Sequence, residues 1–183
     1  LYLSRNSNWF PTKQQDIAFV AGDRSLNGTF PLWSILKNLS IASLRDLSSL
    51  SLVNHKREDE LGDNWKKRIE IRTPNMGNKI LSLSGGNQQK VLFARALATT
   101  AETVLMDDPM RGVDIGTKQE VYEILRTEAR HGRTLVWYLT EMDEIRLCDR
   151  VYVFRDGVIH AELVGDDITE QNVLAASFAG EGH

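Results

Sequence analysis

The spacing of apolar positions along this chain changes character near residue 80. Ahead of that point, the run Asp16-Ile-Ala-Phe-Val20, closed by Gly22, predicts a short buried strand over 16–20. From Pro31 to about Arg72, Leu32, Ile35, Leu36, Leu39, Leu44, Leu47 and Leu50 fall at helical spacing. Behind residue 80, helices and strands alternate. A helix is predicted over 85–99, then a strand at Thr103-Val-Leu-Met-Asp107. A second helix follows over 117–131, with Thr117-Lys-Gln-Glu120 as a capping box, Val121, Ile124 and Leu125 as its buried stripe, and Gly132 closing it. Thr134 to Leu139 predicts a fully buried strand, and strand–helix–strand of this kind implies parallel pairing with a right-handed crossover. Residues 150–163 alternate about Asp156-Gly157, a strong hairpin signal. Residues 168–180 predict a closing helix, and the first dozen residues predict no clear element. The fold class is α/β: a mostly helical subdomain at about 25–81, a core over 82–165, and a C-terminal helix over 166–183.

Composition narrows the function classes. The chain has 183 residues and a formal net charge of −3, with its positive charges scattered, which argues against a nucleic-acid partner. Lys66, Lys67 and Arg68 stand among acids and predict a solvated helix face. The single cysteine, Cys148, has no internal disulfide partner, which suits a reducing compartment. No apolar run reaches the ~18–20 residues of a membrane-spanning helix, so a membrane role goes through a partner. The chain begins with Leu1 and has no signal-peptide pattern, the expectation for a piece of a longer polypeptide.

Two stretches carry candidate chemistry. Ser84-Gly85-Gly86-Asn87 opens a helix, where unpaired N–H groups and the helix dipole favour an anion. The two glycines admit close backbone approach, yet the same residues also serve as an ordinary N-cap and loop. Asp107 and Asp108 end an apolar strand, the edge at which open α/β sheets bind ligands. One carboxylate there suits Mg²⁺ and the next an attacking water, although Asp108-Pro109 also reads as a plain turn.

Taken together, Leu83-Ser-Gly-Gly-Asn-Gln-Gln-Lys90 and the strand ending Asp107-Asp108-Pro109 resemble the signature motif and Walker B segment of ABC-transporter ATPases. The form "SGGNQQK" with "MRGVDIGTKQEVYEILR" looks like the ATP-binding subunits of bacterial sugar importers of the ribose, galactose and xylose kind. "GDRSLNG", "SILKNLSIASLRDLS", "RIEIRTPN" and "CDRVYVFRDGVI" extend the likeness over residues 16 to about 165, in the pattern of the second of that family's two ATP-binding halves.

The resemblance implies ATP and Mg²⁺ as cofactors. It implies that Ser84, Gly85, Gly86 and Asn87 contact ATP held by the opposing half, that Asp107 serves the magnesium, and that Asp114 belongs to the D-loop. Implied partners are the other ATP-binding half, the transmembrane permease subunits and, indirectly, a periplasmic sugar-binding protein. The implied place is the cytoplasm, on the inner face of the cell membrane.

Four departures temper the implied activity. A phosphate-cradling loop needs G-x-x-x-x-G-K-[ST], and no Gly-Lys pair occurs here; in the family that loop precedes the position of Leu1. Asp108 stands where the family's catalytic Glu is expected, its carboxylate ~1.5 Å further back, and a misplacement of ~1 Å costs ~10²-fold in rate. Thr140 occupies the position of the switch histidine. Gly22, beside Asp23, stands where a Gln or Glu is usual in the Q-loop. These positions predict a half that lends an intact signature while hydrolysing little itself. The competing expectations are a non-hydrolysing structural half and a soluble ABC ATPase unrelated to transport. His131, at a helix end, reads as a dipole contact.

Overall fold

A computed structural model describes residues 17–49 and 52–178 of the chain, which divides into two compact units, one reaching to Tyr138 and the other beginning at Leu139. The first unit is built on a three-stranded parallel sheet of β1 (Ile17–Val20), β4 (Thr103–Asp107) and β5 (Thr134–Tyr138), in the order β1-β4-β5. The long excursion between β1 and β4 carries α1 (Ile35–Ser40), α2 (Leu44–Leu47), β2 (Ser48–Ser49), β3 (Leu52–Val53), α3 (His55–Arg68) and α4 (Gly85–Leu97). Helix α5 (Ile115–Arg130) then crosses from β4 to β5, and the two strands pair in parallel as the pattern predicts.

Helix α4 is the centre of the unit. Val91, Leu92, Phe93, Ala94, Ala96 and Leu97 are all buried, so the helix packs on more than one side. It touches β1, α1 and α5, and its core continues into Val20, Ile35, Leu39, Val104 and Val121.

Several sequence expectations need correction. The strand at 16–20 is buried on one face only, since Ile17 and Phe19 are exposed while Ala18 and Val20 are buried. The strand at 134–139 ends at Tyr138 and is half-exposed rather than fully buried. Both lie at the edges of the sheet described, whereas a continuous apolar run signals full burial only for a covered, central strand. Helical spacing over 31–72 resolves into three helices interrupted by the two-residue β2–β3 pairing, and Leu32 is solvent-exposed. Leu50, like residues 1–16 and 179–183, lies outside the described residues. The basic triplet sits at the end of α3 as expected, although Arg68 also stacks on Trp65, 4.6 Å from its ring centroid, and pairs with the buried Glu128.

The second unit holds a short 3₁₀ turn at Met142–Leu147, the hairpin of β6 (Arg150–Arg155) and β7 (Val158–Val164), and α6 (Glu170–Phe178) over a small core of Ile145, Val153 and Val173. Asp156 and Gly157 both take positive φ, 51° and 80°, the geometry a two-residue hairpin turn demands and the reason the Asp-Gly signal was legible. The final helix begins at Glu170, behind a 3₁₀ turn at Gly165–Asp167, rather than at 166. Burial, with Asp149 and Glu144 nearby, pushes the Cys148 thiol up to about 11, which disfavours a reactive thiolate.

Candidate functional site

Ser84 is the N-cap of α4. It takes extended backbone angles, and its Oγ accepts from the Asn87 backbone N–H at 3.4 Å and the Asn87 side-chain amide at 3.0 Å. Asn87 is held from its other end, since its Oδ1 accepts from the Arg72 N–H at 2.8 Å. The Ser84 hydroxyl proton meets no acceptor among the described residues, and Ser84 itself is exposed. The capping and anion-binding readings are therefore compatible: the oxygen accepts from Asn87, and the exposed hydroxyl keeps its own proton to donate.

Two long-range neighbours close around the glycines. A Cβ on Gly85 would stand 2.8 Å from Arg24 Nη2, and one on Gly86 would stand 2.8 Å from Thr117 Oγ1 and 3.1 Å from Asp114 Oδ2. Only glycine fits between these side chains without displacing them. The turn therefore brings together Ser84 to Asn87, a guanidinium from the segment after β1, and the first turn of α5.

Asp114 is the N-cap of α5. Its carboxylate accepts from the Thr117 N–H at 3.0 Å and from the Thr117 hydroxyl at 2.8 Å. This corrects the predicted capping box: α5 begins at Ile115, and Thr117 serves Asp114 as a donor instead of capping the helix itself. Glu120, released from that role, pairs with the buried Lys90 of α4 and with Arg72, while Lys90 also donates to the Glu70 carbonyl at 3.2 Å. A buried ammonium needs such partners. At the far end of α5, His131 is the C-cap residue and Gly132 follows at φ +92°, as predicted.

The two Thr117 hydrogen bonds hold the Asp114 carboxyl below its usual range. A lowered carboxyl pKa adds stability above the unfolded value of about 4, and that stability disappears as pH falls through the folded value. Asp114→Ala is accordingly expected to lower the midpoint of thermal unfolding at neutral pH. The difference from wild type should shrink once pH falls below the folded value, a trend that calorimetry across the acid range would measure.

At the end of β4 the two carboxylates diverge. Asp107 is exposed, open to a cation, and its backbone pairs with Tyr138. Asp108 is buried, takes φ +42°, and donates its N–H to the Tyr138 carbonyl at 2.8 Å. Few residues with a side chain accept that left-handed backbone, Asp and Asn among them. Gly22 lies against the same strand end: a Cβ there would stand 2.2 Å from the Asp107 carbonyl oxygen. Asp23 caps the turn that follows, accepting from the Leu26 N–H at 3.0 Å. Thr140 belongs to the second unit, where it is exposed. Nothing in the sequence signals that Arg24, Arg72 and Thr117 meet at this turn, because each reaches it from a different part of the chain.

The ABC-transporter family model matches residues 6–111 of the chain, a span that includes β1, the whole of α4 and both β4 carboxylates. This chain belongs to the ABC-transporter family. Among curated relatives, the ABC chain is 38% identical over 159 residues to ribose import ATP-binding protein RbsA 2 of Rhizobium meliloti, covering 86% of this chain and 31% of that protein. It is 36% identical over 159 residues to RbsA 2 of Escherichia coli O157:H7, with the same coverage of 86% and 31%. It thus spans about a third of the length of the curated relatives it matches. Among solved structures, a dimeric ATP-binding cassette in a post-hydrolysis state with ADP and Pi superposes with a TM-score of 0.69 at 25% identity, covering 82% of this chain and 63% of that one. CbiO1 of Clostridium perfringens, part of an ABC transporter complex, superposes with a TM-score of 0.67 at 21% identity, covering 87% and 68%, and supports the fold alone. The ABC ATPase family binds ATP, typically with Mg²⁺. Among the described residues, no helix is long and apolar enough to cross a membrane.

Proposed function

We propose that this chain is the C-terminal ATP-binding half of the ATPase of a sugar importer, of the ribose-importing kind its relatives are named for, and that its signature turn acts on ATP held by the other half. The observation that carries this reading is the turn itself. Arg24, Thr117 and Asp114 close on Gly85 and Gly86, and the exposed Ser84 hydroxyl stands at the positive end of α4.

This arrangement fits a phosphate group. The Ser84 hydroxyl and the first N–H groups of α4 donate to an anion, and the Arg24 guanidinium adds a full positive charge beside them. Asp114 holds α5 against Gly86, so the depth of the turn is fixed before substrate arrives. Asp107 is the exposed carboxylate suited to Mg²⁺, which when bound neutralises phosphate charge. Asp108, buried and on a left-handed backbone, is a poor general base, and Thr140 lacks the imidazole of a switch residue. Asymmetric turnover follows: this half assists hydrolysis in its partner more than it hydrolyses.

The permease is the proposed membrane partner, met by the helical segment behind β1. Leu26, Phe30, Leu32 and Trp33 are exposed there within eight residues, with Asp23 and Arg24 at the joint to the sheet. That contact makes the protein peripheral, on the cytoplasmic face of the membrane. Domain limits of about 25–81 for this helical subdomain, with 82–165 and 166–183 following, are part of the same proposal.

A photoreactive group on the γ-phosphate of ATP tests the nucleotide reading in the assembled transporter. The peptide containing Ser84 to Lys90 is expected to be labelled, and labelling should disappear when the P-loop lysine of the other half is replaced. Labelling that persists without that lysine would refute action in trans.

A further inference from the structure

Arg95 lies on α4 eleven residues beyond Ser84 and touches none of the signature turn, yet it holds three acceptors at once. Its Nε donates to the Asn38 carbonyl at 2.5 Å, Nη1 to the Gly28 carbonyl at 2.6 Å, and Nη2 to Asn38 Oδ1 at 3.0 Å. The guanidinium also lies 5.5 Å from the ring centroid of Phe30. Burial lowers its pKa to about 10, so it stays charged at neutral pH. Asn38 is fully buried and carries the connection onward: its Oδ1 accepts from the Phe30 N–H at 2.8 Å, and its Nδ2 donates to the carbonyls of Phe30 and Ser34, each at 3.0 Å. One cation thus fastens α4 to the end of the π-helical turn Arg24–Gly28, to Phe30 and to α1.

The same turn grips α4 again toward its start. Arg24 stands over Gly85, while Gly28 packs so close to Leu92 that a Cβ would come within 2.7 Å of that side chain. Residues 85 and 95 are about 15 Å apart along a helix axis at the usual rise. A segment hydrogen-bonded to the helix at Arg95 and lying against it at Gly85 cannot tilt without opening one of the two contacts.

We infer that Arg95 is a positioning residue that makes the turn 24–30, α1 and the signature helix one rigid body, so that displacement of the exposed Leu26–Trp33 segment is passed to Ser84, Gly85 and Gly86. The inference rests on the proposed nucleotide role of the turn for its functional half, and on the Arg95 and Asn38 hydrogen bonds with the close approaches at Gly85 and Leu92 for its mechanical half. Planar geometry is essential to it: the ammonium of a lysine cannot reach three acceptors spread across a guanidinium fork.

The test is Arg95→Lys in the assembled transporter, read by amide hydrogen exchange and by steady-state ATP turnover. Exchange at Asn27, Thr29 and Phe30 is expected to rise by about tenfold or more, while β4 amides stay unchanged, as local rather than global opening requires. Turnover should lose about tenfold in kcat with KM for ATP unmoved, since the contacts that set ground-state binding are elsewhere. If Arg95→Lys does not fold, Phe30→Leu removes the ring beneath the guanidinium and should raise exchange at the same amides. Equal acceleration in β4, or none at Phe30, overturns the rigid-body inference. Accelerated exchange with unchanged kcat overturns the transmission step, provided that Ser84→Arg abolishes turnover in the same preparation. If Ser84→Arg leaves turnover intact, the nucleotide reading itself fails, and the exchange data still decide the rigid body.

Discussion

Ser84→Arg in the assembled transporter is expected to reduce ATP turnover by about 10²–10³ or more, the scale lost when one preorganised donor to a transition-state anion is removed. The substitution acts in three ways. It deletes an exposed hydroxyl donor, and it deletes the Oγ that accepts from Asn87, so the first turn of α4 loses its cap. It also introduces a bulky cation next to Arg24, into a turn where even a Cβ on either glycine would have to displace a neighbouring side chain. Asp108→Asn is the contrasting change. Asparagine tolerates the φ of +42° as aspartate does and fills the same buried volume, so the backbone link to Tyr138 is preserved and only the negative charge is removed. Turnover is expected to fall by less than about threefold if, as proposed, Asp108 is a base out of position and contributes little. Equal and severe losses in the two variants would make Asp108 a working base and would reverse the assignment of this half as the helper. Ser84→Ala separates the contributions: it keeps the turn open and removes only the donor and the cap.

How much of this was legible in the sequence depends on the range of the interaction. The α4 cap, the Asp-Gly hairpin, the parallel β4–α5–β5 unit and the glycine closing α5 are set by neighbouring residues, and each follows from turn chemistry or hydrophobic period. Burial was misjudged where strand position decides it: Phe19 and Tyr138 are apolar or aromatic but lie on edge strands. The cap of α5 was misjudged because Thr117-x-x-Glu120 matches a capping box by spacing alone, while Asp114, three residues earlier, caps better and Glu120 is drawn away by Lys90. The composition of the candidate site was the least legible. Arg24 and Gly85 are separated by most of the helical excursion, and nothing local to either announces that they meet. Likeness to a family supplies the proposed role of the turn, but only folding supplies the side chains that close on its glycines.

Gly22→Ala is expected to destabilise the protein by about 3 kcal/mol, at the upper end of what overpacking a well-packed site costs. Its physical basis differs from that of an ordinary core substitution. The atom that a new Cβ would meet at 2.2 Å is the backbone carbonyl oxygen of Asp107, with its carbonyl carbon at 3.2 Å, and neither can rotate aside as a side-chain terminus can. Relief requires the loop after β1 to lift from the end of β4, and β1 and β4 are paired up to Val20 and Met106, immediately before these residues. A loss of that size corresponds to a fall of roughly 6–12 °C in the unfolding midpoint for a chain of this length. Gly22→Gln, which installs the side chain that the proposed Q-loop assignment would place here, should cost at least as much, because the obstruction begins at Cβ. Thermal and urea unfolding of both variants would measure this. If Gly22→Ala stays within about 0.5 kcal/mol of wild type, as an unobstructed surface position would, the loop is not seated on Asp107. A side chain at position 22 would then be free to act as a magnesium ligand, and the glycine here would mark a lost function. With the predicted loss, the glycine is instead what allows this loop to approach the end of β4 so closely, and that end of the sheet is built around its missing side chain.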